Sequence, residues 1–414
     1  MYLEKRREGI IALAAVVHRM GLAGIDSREK FREWAKTEHL FLVHAFNYPI
    51  APGMPSIYSL FAADFHPELP LVMFNYTPTA HNTLHAHPEG WTNALRMCRG
   101  IVFEMGTGKL IAHPFPKFFN LNEHPETVID TLIEKLKTYR DDSYSGWYAT
   151  RKMDGHLGII FEYHGKLHFT TRGTFGSPSA KLGTKLLRQC EREFDWKKNF
   201  DPNFTTLVEL VDPSTKVHVN YGAKSGFVLL GAYNRETLVD ASMIADYVGG
   251  SQLDNRAWLP IHASRLQMKM GADVYLCPAH ANGSDNLNVL VASMKNRDVV
   301  NEEGWVIRLF DGTRVKVKYE TYIGLMVQKK LSPTYIMNRV MAGNLEKMLN
   351  TLDEEVVPAA NEMYGRIMRV VFMTGENKVL WNYLYGLVPP EASTPHYRGI
   401  CRKFLAYIDD IMEK

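Results

Sequence analysis

The chain has 414 residues, of which 46% are hydrophobic and 22% are charged, and its formal net charge at pH 7 is +3. This length and composition are typical of a soluble globular protein with two or three structural units. The small net charge excludes a basic field over the whole chain, so a site for a polyanion must be a local cluster of cations.

The N-terminal segment predicts a helix. Its basic run Lys5–Arg7, followed by Ile10–Val17, resembles a signal peptide, but Glu4 and Glu8 interrupt the charge. Apolar residues recur at helical spacing, which favours an amphipathic helix, at Ile10, Leu13, Val17 and Met20. No apolar run approaches the roughly 20 residues that cross a bilayer, so we predict no membrane span.

The cysteines indicate a reducing compartment. They lie far apart in the sequence, without the close pairs that build zinc sites or disulfide frameworks, at Cys98, Cys190, Cys277 and Cys401. We therefore expect reduced thiols and a cytoplasmic protein.

Short β-branched and aromatic runs, punctuated by Gly, Asp or Asn, recur between Arg99 and about Tyr322 and predict antiparallel strands and hairpins. The runs are Ile101–Phe103, Leu157–Phe161, Leu167–Thr171, Leu207–Val211, Phe227–Leu230, Trp305–Leu309 and Arg314–Lys318. Residues 178–195 and 237–275 are predicted helical interruptions, and the pattern after Glu320 is helical. The predicted class is α+β, with a mostly helical extension over 1–70, an antiparallel-sheet domain over 71–322 and a helical domain over 323–414.

Several predicted strands carry ionisable residues. Lys316 and Lys318 lie two apart and therefore project from the same face. Glu209 lies in an apolar strand, and Glu303 precedes Gly304 and another apolar strand; a carboxylate in such a place needs a donor, a cation or a metal. Taken singly, each residue is better explained by a structural salt bridge, and only their combination favours a functional site.

Lys152, at the end of a short predicted strand, is a candidate nucleophile. A lysine becomes nucleophilic only after it loses a proton, which neighbouring cations and partial burial favour. The same cations would neutralise phosphate oxygens during displacement at phosphorus, so we expect a phosphoryl electrophile.

The order of these residues resembles that of a known superfamily. Lys152–Gly155 has the Lys-x-Asp-Gly pattern of the covalent nucleotidyltransferases, which include DNA ligases, RNA ligases and capping enzymes. It is followed, in the order of that superfamily, by Thr171–Thr174, Glu209, Glu303–Val306 and Val315–Lys318.

Two upstream segments narrow the resemblance. Cys98–Met105 and Lys117–Glu123 are similar to the segments that precede the nucleophile in the RNA ligase 1 family of tailed bacteriophages, and the resemblance extends from about Phe74 to Tyr322. It implies an ATP-grasp-like ligase domain, ATP as the AMP donor, and Mg²⁺ or Mn²⁺. It also implies a single-stranded or nicked RNA substrate such as a broken tRNA, no obligate protein partner, and the host cytoplasm for a phage protein.

By this resemblance ATP adenylylates the motif lysine, AMP passes to an RNA 5′-phosphate, and an RNA 3′-hydroxyl displaces AMP. Lys152 would carry AMP, Asp154 would help in sealing and Gly155 would permit a tight turn. Glu209 would hold the ribose hydroxyls, and Glu303 would act near the metal through water. The remaining cations would contact phosphates, and they are Arg99, Lys117, Arg172, Lys316 and Lys318.

The sequence departs from the family pattern at three motif positions, and its N-terminal segment and the region from Thr237 to Asn301 are longer than expected. Arg172 stands where lysine is usual, which keeps the charge but changes a point charge to a planar fork. Phe74–Tyr76 lacks the first hydroxyl of a Tyr-Asn-Tyr segment. Val208 and Leu210 flank Glu209 where aromatic residues are expected.

Other readings stay open at this point. His81, His85 and His87 could form a zinc site, but a surface loop explains them better, because no acidic or thiol partner stands at a recognisable spacing. In the helical domain, a basic patch could bind RNA or be a solvated helix face, and it comprises Arg398, Arg402 and Lys403. The alternatives to an RNA ligase are another covalent nucleotidyltransferase, of the DNA ligase or capping type, and a catalytically silent RNA-binding protein with the same fold.

Overall fold

The computed structural model describes residues 2–84, 86–138, 146–193, 201–215, 217–240, 274–276, 283–296, 299–349, 352, 356–374 and 395–412. The chain divides into two compact units, Met1–Glu320 and Thr321–Lys414. The predicted division into an extension over 1–70, a sheet domain over 71–322 and a helical domain over 323–414 stays a prediction.

The described strands of the first unit are almost wholly antiparallel. They are β1 (Phe61–Phe65), β2 (Leu71–Tyr76), β3 (Arg99–Glu104), β4 (Leu110–Ala112), β5 (Phe119–Asn120), β6 (Trp147–Lys152), β7 (His156–Tyr163), β8 (Lys166–Thr171), β9 (Phe204–Val211), β10 (Gly226–Asn234), β11 (Val274–Leu276), β12 (Gly304–Leu309) and β13 (Arg314–Lys318). They form three sheets, ordered β1-β2-β3-β4, β10-β9-β7-β8 and β11-β6-β12-β13-β5. Only the β5–β13 pair among them is parallel.

All the strand segments predicted from the sequence lie within described strands, which confirms the antiparallel prediction. The predicted helix at 178–195 is also confirmed, as a helix over 178–193. Most of the second predicted interruption, from 241 to 273, lies outside the described residues.

The helices of the first unit surround these sheets. They are α1 (Tyr2–Leu22), α2 (Arg28–Thr37), α3 (His39–Ala45), α4 (Pro78–Thr83), α5 (Asn93–Met97), α6 (Ile129–Lys137), α7 (Pro178–Glu193) and α8 (Gly283–Ser293). The helix α9 (Glu320–Lys330) begins at the last residue of the first unit. The second unit continues with α10 (Pro333–Met341), α11 (Leu345–Leu349), α12 (Val357–Thr374) and α13 (Pro395–Met412). Among the described helices, none combines the length and apolar character needed to cross a membrane.

The N-terminal helices share a hydrophobic core with the β1–β4 sheet. The predicted apolar positions of α1 are buried, with Leu13, Val17 and Met20 fully inaccessible. Phe31 of α2 packs edge-on against Phe61 of β1, at 5.5 Å between ring centroids. The first 70 residues therefore build part of the folded unit, because their apolar face is covered by the sheet.

The helical unit has its own core. Ile336 and Met337 of α10, Ile367 of α12 and Phe404 of α13 are fully buried. Ser332 caps α10, since its hydroxyl accepts a hydrogen bond from the Tyr335 amide at 3.1 Å. The helical prediction is confirmed for the described part of this unit.

The packing of α1 predicts a stability difference between two positions on the same helix. Leu13→Ala removes a fully buried side chain and should lower the free energy of unfolding by roughly 2–5 kcal/mol, because it leaves a cavity. Ile11→Ala is the matched control, since Ile11 is 62% exposed. Urea denaturation followed by circular dichroism measures both. Equal losses would contradict the packing of α1 onto the sheet.

Candidate active site

Strand pairing brings three distant segments of the sequence to one place. At the start of β12, Gly304 lies opposite Lys152 of β6 on one side and opposite Lys318 of β13 on the other. Gly304 has φ +149°, and a Cβ there would lie 2.1 Å from the Val317 carbonyl oxygen. Only glycine fits between the two lysine-bearing strands at this point, and Glu303 directly precedes it.

Glu303 holds both lysines through one buried carboxylate. Its Oε2 lies 2.8 Å from Lys152 Nζ, and its Oε1 lies 3.2 Å from Lys318 Nζ. The Glu303 side chain is 4% exposed and that of Lys152 is 22% exposed. Two ammonium groups offset the desolvation of one carboxylate, so removal of Glu303 would leave two cations close together.

This geometry corrects the electrostatic reason given for Lys152 as a nucleophile. The sequence predicts an amine surrounded by cations, but Lys152 is ion-paired with a carboxylate. The cations lie around that carboxylate.

Lys316 lies on the same face of β13 as Lys318, as predicted from their spacing, but it has different neighbours. Its Nζ lies 5.9 Å from the centroid of the Phe118 ring. The guanidinium of Arg99 lies 5.4 Å from the same centroid. Phe118 thus makes cation–π contacts with both Lys316 and Arg99.

Glu209 lies on β9, in the β10-β9-β7-β8 sheet. Its Oε1 accepts a hydrogen bond from the backbone N–H of Gly155 at 3.1 Å. Burial raises the pKa of Glu209 to about 8, and Glu303 and Asp154 act in the same direction against Lys152 and Arg99. These charges act on one another, so the two glutamates, Asp154, Lys152 and Arg99 form a single electrostatic cluster.

Gly155 is required by a close approach of two chain segments. A Cβ at this position would lie 2.4 Å from the Leu210 carbonyl oxygen and 3.1 Å from Glu209 Cγ. The sequence predicts a tight turn at Gly155; the structure adds that the turn packs directly against the strand of Glu209.

Asp154 anchors a loop. Its Oδ2 accepts hydrogen bonds from the backbone N–H groups of His218 and Val219, at 2.7 and 2.6 Å. Its own backbone N–H donates to the Tyr221 hydroxyl at 2.8 Å. Burial raises the pKa of Tyr221, which keeps this hydroxyl neutral. Asp154 and Tyr221 thereby hold the segment after β9 against the turn that follows Lys152.

The upstream cations converge on Tyr76. The Arg172 guanidinium donates to the Tyr76 hydroxyl at 2.8 Å and lies 5.0 Å from its ring centroid. Burial lowers the pKa of Arg99, while the Tyr76 hydroxyl and the charge of Glu209 act against that shift. The Lys117 ammonium lies within 5.8 Å of the ring centroids of Tyr76, Trp91 and Phe119.

Tyr76, Trp91 and Tyr221 are absent from the residues predicted from the sequence. The Phe74–Tyr76 segment is the one signal that points to Tyr76, through its resemblance to Tyr-Asn-Tyr. An isolated aromatic residue such as Trp91 or Tyr221 carries no signal of its own, because most such residues pack in a core.

The remaining predicted residues lie elsewhere or outside the described part of the chain. Arg402 and Lys403 are exposed on α13, and the side chain of Arg398 on the same helix lies outside the described residues. His85 of the possible zinc site also lies outside them. Among the residues that the structure describes, no group of three or more His, Cys, Asp or Glu is arranged to hold a metal ion.

Solved structures with a partial likeness to the chain include a candidate ATP-dependent DNA ligase from Aquifex aeolicus, at 12% identity over 86% of this chain and 75% of that one, with a TM-score of 0.38. An archaeal ATP-dependent RNA ligase is 16% identical over 67% of this chain and 70% of that one, with a TM-score of 0.35. A Naegleria gruberi RNA ligase variant with ATP and Mn is 12% identical over 49% and 55%, with a TM-score of 0.33.

Among curated proteins, a candidate RNA ligase of Thermovibrio ammonificans is 31% identical over 127 residues, 30% of this chain and 31% of that protein. RNA ligase 1 of bacteriophage TS2126 is 28% identical over 148 residues, 32% of this chain and 33% of that protein. The chain therefore matches about a third of the length of these two relatives.

The sequence model of an RNA ligase family matches residues 97–322, more than half of the chain. This range holds Lys152, Glu209, Glu303 and the two lysines of β13. The chain belongs to the RNA ligase family.

Proposed function

We propose that the protein is an ATP-dependent RNA ligase that joins a 5′-phosphate to a 3′-hydroxyl through a lysyl-AMP intermediate. The observation that carries this proposal is the buried Glu303 carboxylate shared by Lys152 and Lys318. It holds the candidate nucleophile beside a second cation that can neutralise the phosphate under attack. Family membership and the order of the motifs support the same reaction.

In the first step Lys152 leaves Glu303 and its ammonium group gives a proton to water. The resulting amine attacks the α-phosphorus of ATP and gives a second proton to water. A P–N bond forms, and the P–O bond to pyrophosphate breaks with its electron pair on the leaving group. Lys316 and Lys318 neutralise the α-phosphate oxygens. Arg99, Lys117 and Arg172 bind the outgoing phosphates, an arrangement favoured by their common contact with Tyr76.

Glu209 is the group that binds the ribose of the adenosine. Its oxygens can accept hydrogen bonds from two adjacent hydroxyls once the side chain is ionised, and the raised pKa means that in the neutral form one oxygen donates instead. Its Oε1 accepts a hydrogen bond from the Gly155 N–H. Asp154 acts in the later sealing step, where the loop that it holds through His218 and Val219 borders a small open cleft.

A divalent ion, Mg²⁺ or Mn²⁺, fits this site in one way. Among the described residues, no set of three or more metal ligands is present. The side chains of those residues therefore do not form a metal cage by themselves. Magnesium is commonly bound by one or two carboxylates together with substrate phosphates and water. Glu303 is the carboxylate that would hold it, through water, and the ion would supply positive charge to the phosphate oxygens.

The proposed substrate is single-stranded RNA or a nicked loop, such as a broken tRNA, in the cytoplasm of a cell or of a phage host. The helical unit contributes exposed cations, Arg402 and Lys403, to RNA binding. The alternative chemistry is transfer of another nucleotide, or ligation of DNA, through the same lysine. A silent RNA-binding protein is disfavoured, because every ionisable motif position is retained.

The first prediction concerns the covalent intermediate. Incubation with α-labelled ATP and Mg²⁺ should label the wild-type chain, and Lys152→Ala should abolish the label, since it removes the attacking nitrogen. Lys166→Ala, which changes an exposed lysine of β8, is the matched control and should keep the label. Gel electrophoresis and autoradiography measure the result, with α-labelled GTP run in parallel.

A wild-type chain without label would remove the enzymatic proposal, and label on Lys152→Ala would place the nucleophile elsewhere. The same preparations are given a 5′-phosphorylated oligoribonucleotide, which wild type should convert to circles. Sealing confined to nicked duplex DNA would favour the alternative chemistry.

The second prediction concerns the shared carboxylate. Glu303→Gln keeps the shape of the side chain but removes the charge that holds Lys152 and Lys318, so the rate of lysyl-AMP formation should fall about 100-fold or more. Glu302→Gln is the matched control, because Glu302 contacts Arg151 at 3.4 Å instead. Single-turnover labelling measures both variants, and equal rates would exclude a role for Glu303.

The third prediction concerns the pH dependence of stability without nucleotide. Because the folded-state pKa of Glu209 is raised to about 8, its ionisation disfavours the folded protein, and stability is lost as pH rises from the ordinary range of a glutamate through 8. Glu209→Gln, which mimics the neutral acid, should lack this loss. Urea denaturation at pH 5 and pH 9 measures the free energy of unfolding of wild type and Glu209→Gln. If the difference between the two chains is the same at both pH values, Glu209 is ionised in the folded protein over the whole range.

A further inference from the structure

The turn between β8 and α7, residues 172–177, contacts a second sheet. β8 is an outer strand of the β10-β9-β7-β8 sheet, and the turn touches β1 and β3 of the β1-β2-β3-β4 sheet. It carries Arg172, whose guanidinium donates to the Tyr76 hydroxyl at 2.8 Å. The position of this guanidinium therefore depends on how the turn is held against the β1-β2-β3-β4 sheet.

Arg172 is held close to another cation. Both Arg172 and Arg99 interact with the Tyr76 hydroxyl. Burial lowers the pKa of Arg99, and the charge of Arg172 acts in the same direction. Two like charges side by side repel each other, and Arg172 lies on an exposed turn. The repulsion would move its side chain toward water unless the backbone of the turn is fixed.

Asp64 of β1 fixes the turn to the sheet. Its Oδ2 accepts a hydrogen bond from the backbone N–H of Phe175 at 2.7 Å. Its Oδ1 accepts one from Nε of Arg28, the first residue of α2, at 2.7 Å. Asp64 is 9% exposed, whereas the Arg28 side chain is 51% exposed. Both oxygens of a buried carboxylate are thus occupied, and hydrogen bonds to a charged group are stronger than those between neutral groups.

Two further contacts hold the turn in the same place. The Phe175 ring meets the His66 ring edge-on, at 5.0 Å between centroids. On β3, Gly100 has φ +95°, and a Cβ there would lie 3.1 Å from Arg172 Cα. The backbone of Arg172 therefore packs directly against the residue that follows Arg99, at a position where a side chain would crowd it.

We propose that Asp64 is a positioning residue for Arg172. Its hydrogen bond to the Phe175 N–H fixes the turn, and the fixed turn keeps the Arg172 guanidinium at Tyr76. The inference rests on the proposed function, in which Arg172 binds the phosphates that leave as pyrophosphate. Asp64 does not touch the phosphates and acts through the backbone of the turn. The N-terminal segment thereby contributes to the site by a specific contact as well as by a shared core.

A double-mutant cycle in the full-length chain tests this role. Calorimetry with pyrophosphate and Mg²⁺ measures the affinity of wild type, Asp64→Ala, Arg172→Ala and the double variant. Asp64→Ala should weaken pyrophosphate binding about 10-fold, because the released turn no longer presents the guanidinium. In the Arg172→Ala chain, the same change should alter the affinity less than about twofold, because the side chain that the turn positions is already absent.

Two more variants isolate the hydrogen bond to the turn. Asp64→Asn keeps an oxygen that can accept from the Phe175 N–H, and the exposed Arg28 can turn to water, so the affinity should stay within about threefold of wild type. Glu38→Ala is the matched control and should leave the affinity unchanged, since Glu38 pairs with Arg19 at 2.8 Å. Circular dichroism in urea measures the folding of each chain.

Equal losses on Asp64→Ala with and without Arg172 would overturn the proposal, because they would show a general structural effect. An Asp64→Asn chain as weak as Asp64→Ala would also overturn it, as would a wild type that does not bind pyrophosphate. If the alanine chain does not fold, Asp64→Leu takes its place in the cycle, because leucine fills the same space without an acceptor.

This result is separable from the proposed function. Pyrophosphate affinity is measured without ATP and does not depend on lysyl-AMP formation. Failure of the ligase proposal would be an absence of label on the wild-type chain, whereas failure of the Asp64 proposal would be equal losses in the two arms of the cycle.

Discussion

The organisation of the candidate active site depends on one buried carboxylate. Glu303 is ion-paired with Lys152 and Lys318, which lie on strands to either side of its own. A carboxylate in the interior is costly unless it is paired, and two ammonium groups so close together are costly without it. The three charges therefore hold β6, β12 and β13 in one register. Gly304 makes this possible, because a side chain there would collide with β13.

The second glutamate has a different environment and therefore different chemistry. Glu209 lies on β9 of the β10-β9-β7-β8 sheet, and burial raises its pKa to about 8. Glu303, in contrast, is held between two cations. Carboxylates whose surroundings differ in this way can perform distinct tasks within one site. The contact of Glu209 with the Gly155 N–H ties it to the turn after Lys152. The turn after β6, the strand that ends at Lys152, is thereby attached to the β10-β9-β7-β8 sheet as well.

The β1–β4 sheet supplies a third side of the site. Arg99 begins β3, Tyr76 ends β2, and Arg172 reaches Tyr76 from the turn after β8. The helices of the first 45 residues share one hydrophobic core with this sheet, and Leu13 and Val17 belong to it. The N-terminal segment thus supports the position of the upstream cations through a shared core.

The sequence alone determined the strand segments, the pairing of Lys316 and Lys318 on one face, and the order of the motif residues. These properties are local, since alternation along a strand depends only on the chain's own geometry. Only the tertiary structure decided that a carboxylate touches Lys152, that Asp154 holds a loop, and that Tyr76 gathers the upstream cations. Those neighbours are distant in the sequence. They are brought together by strand register and core packing, which no local sequence pattern encodes.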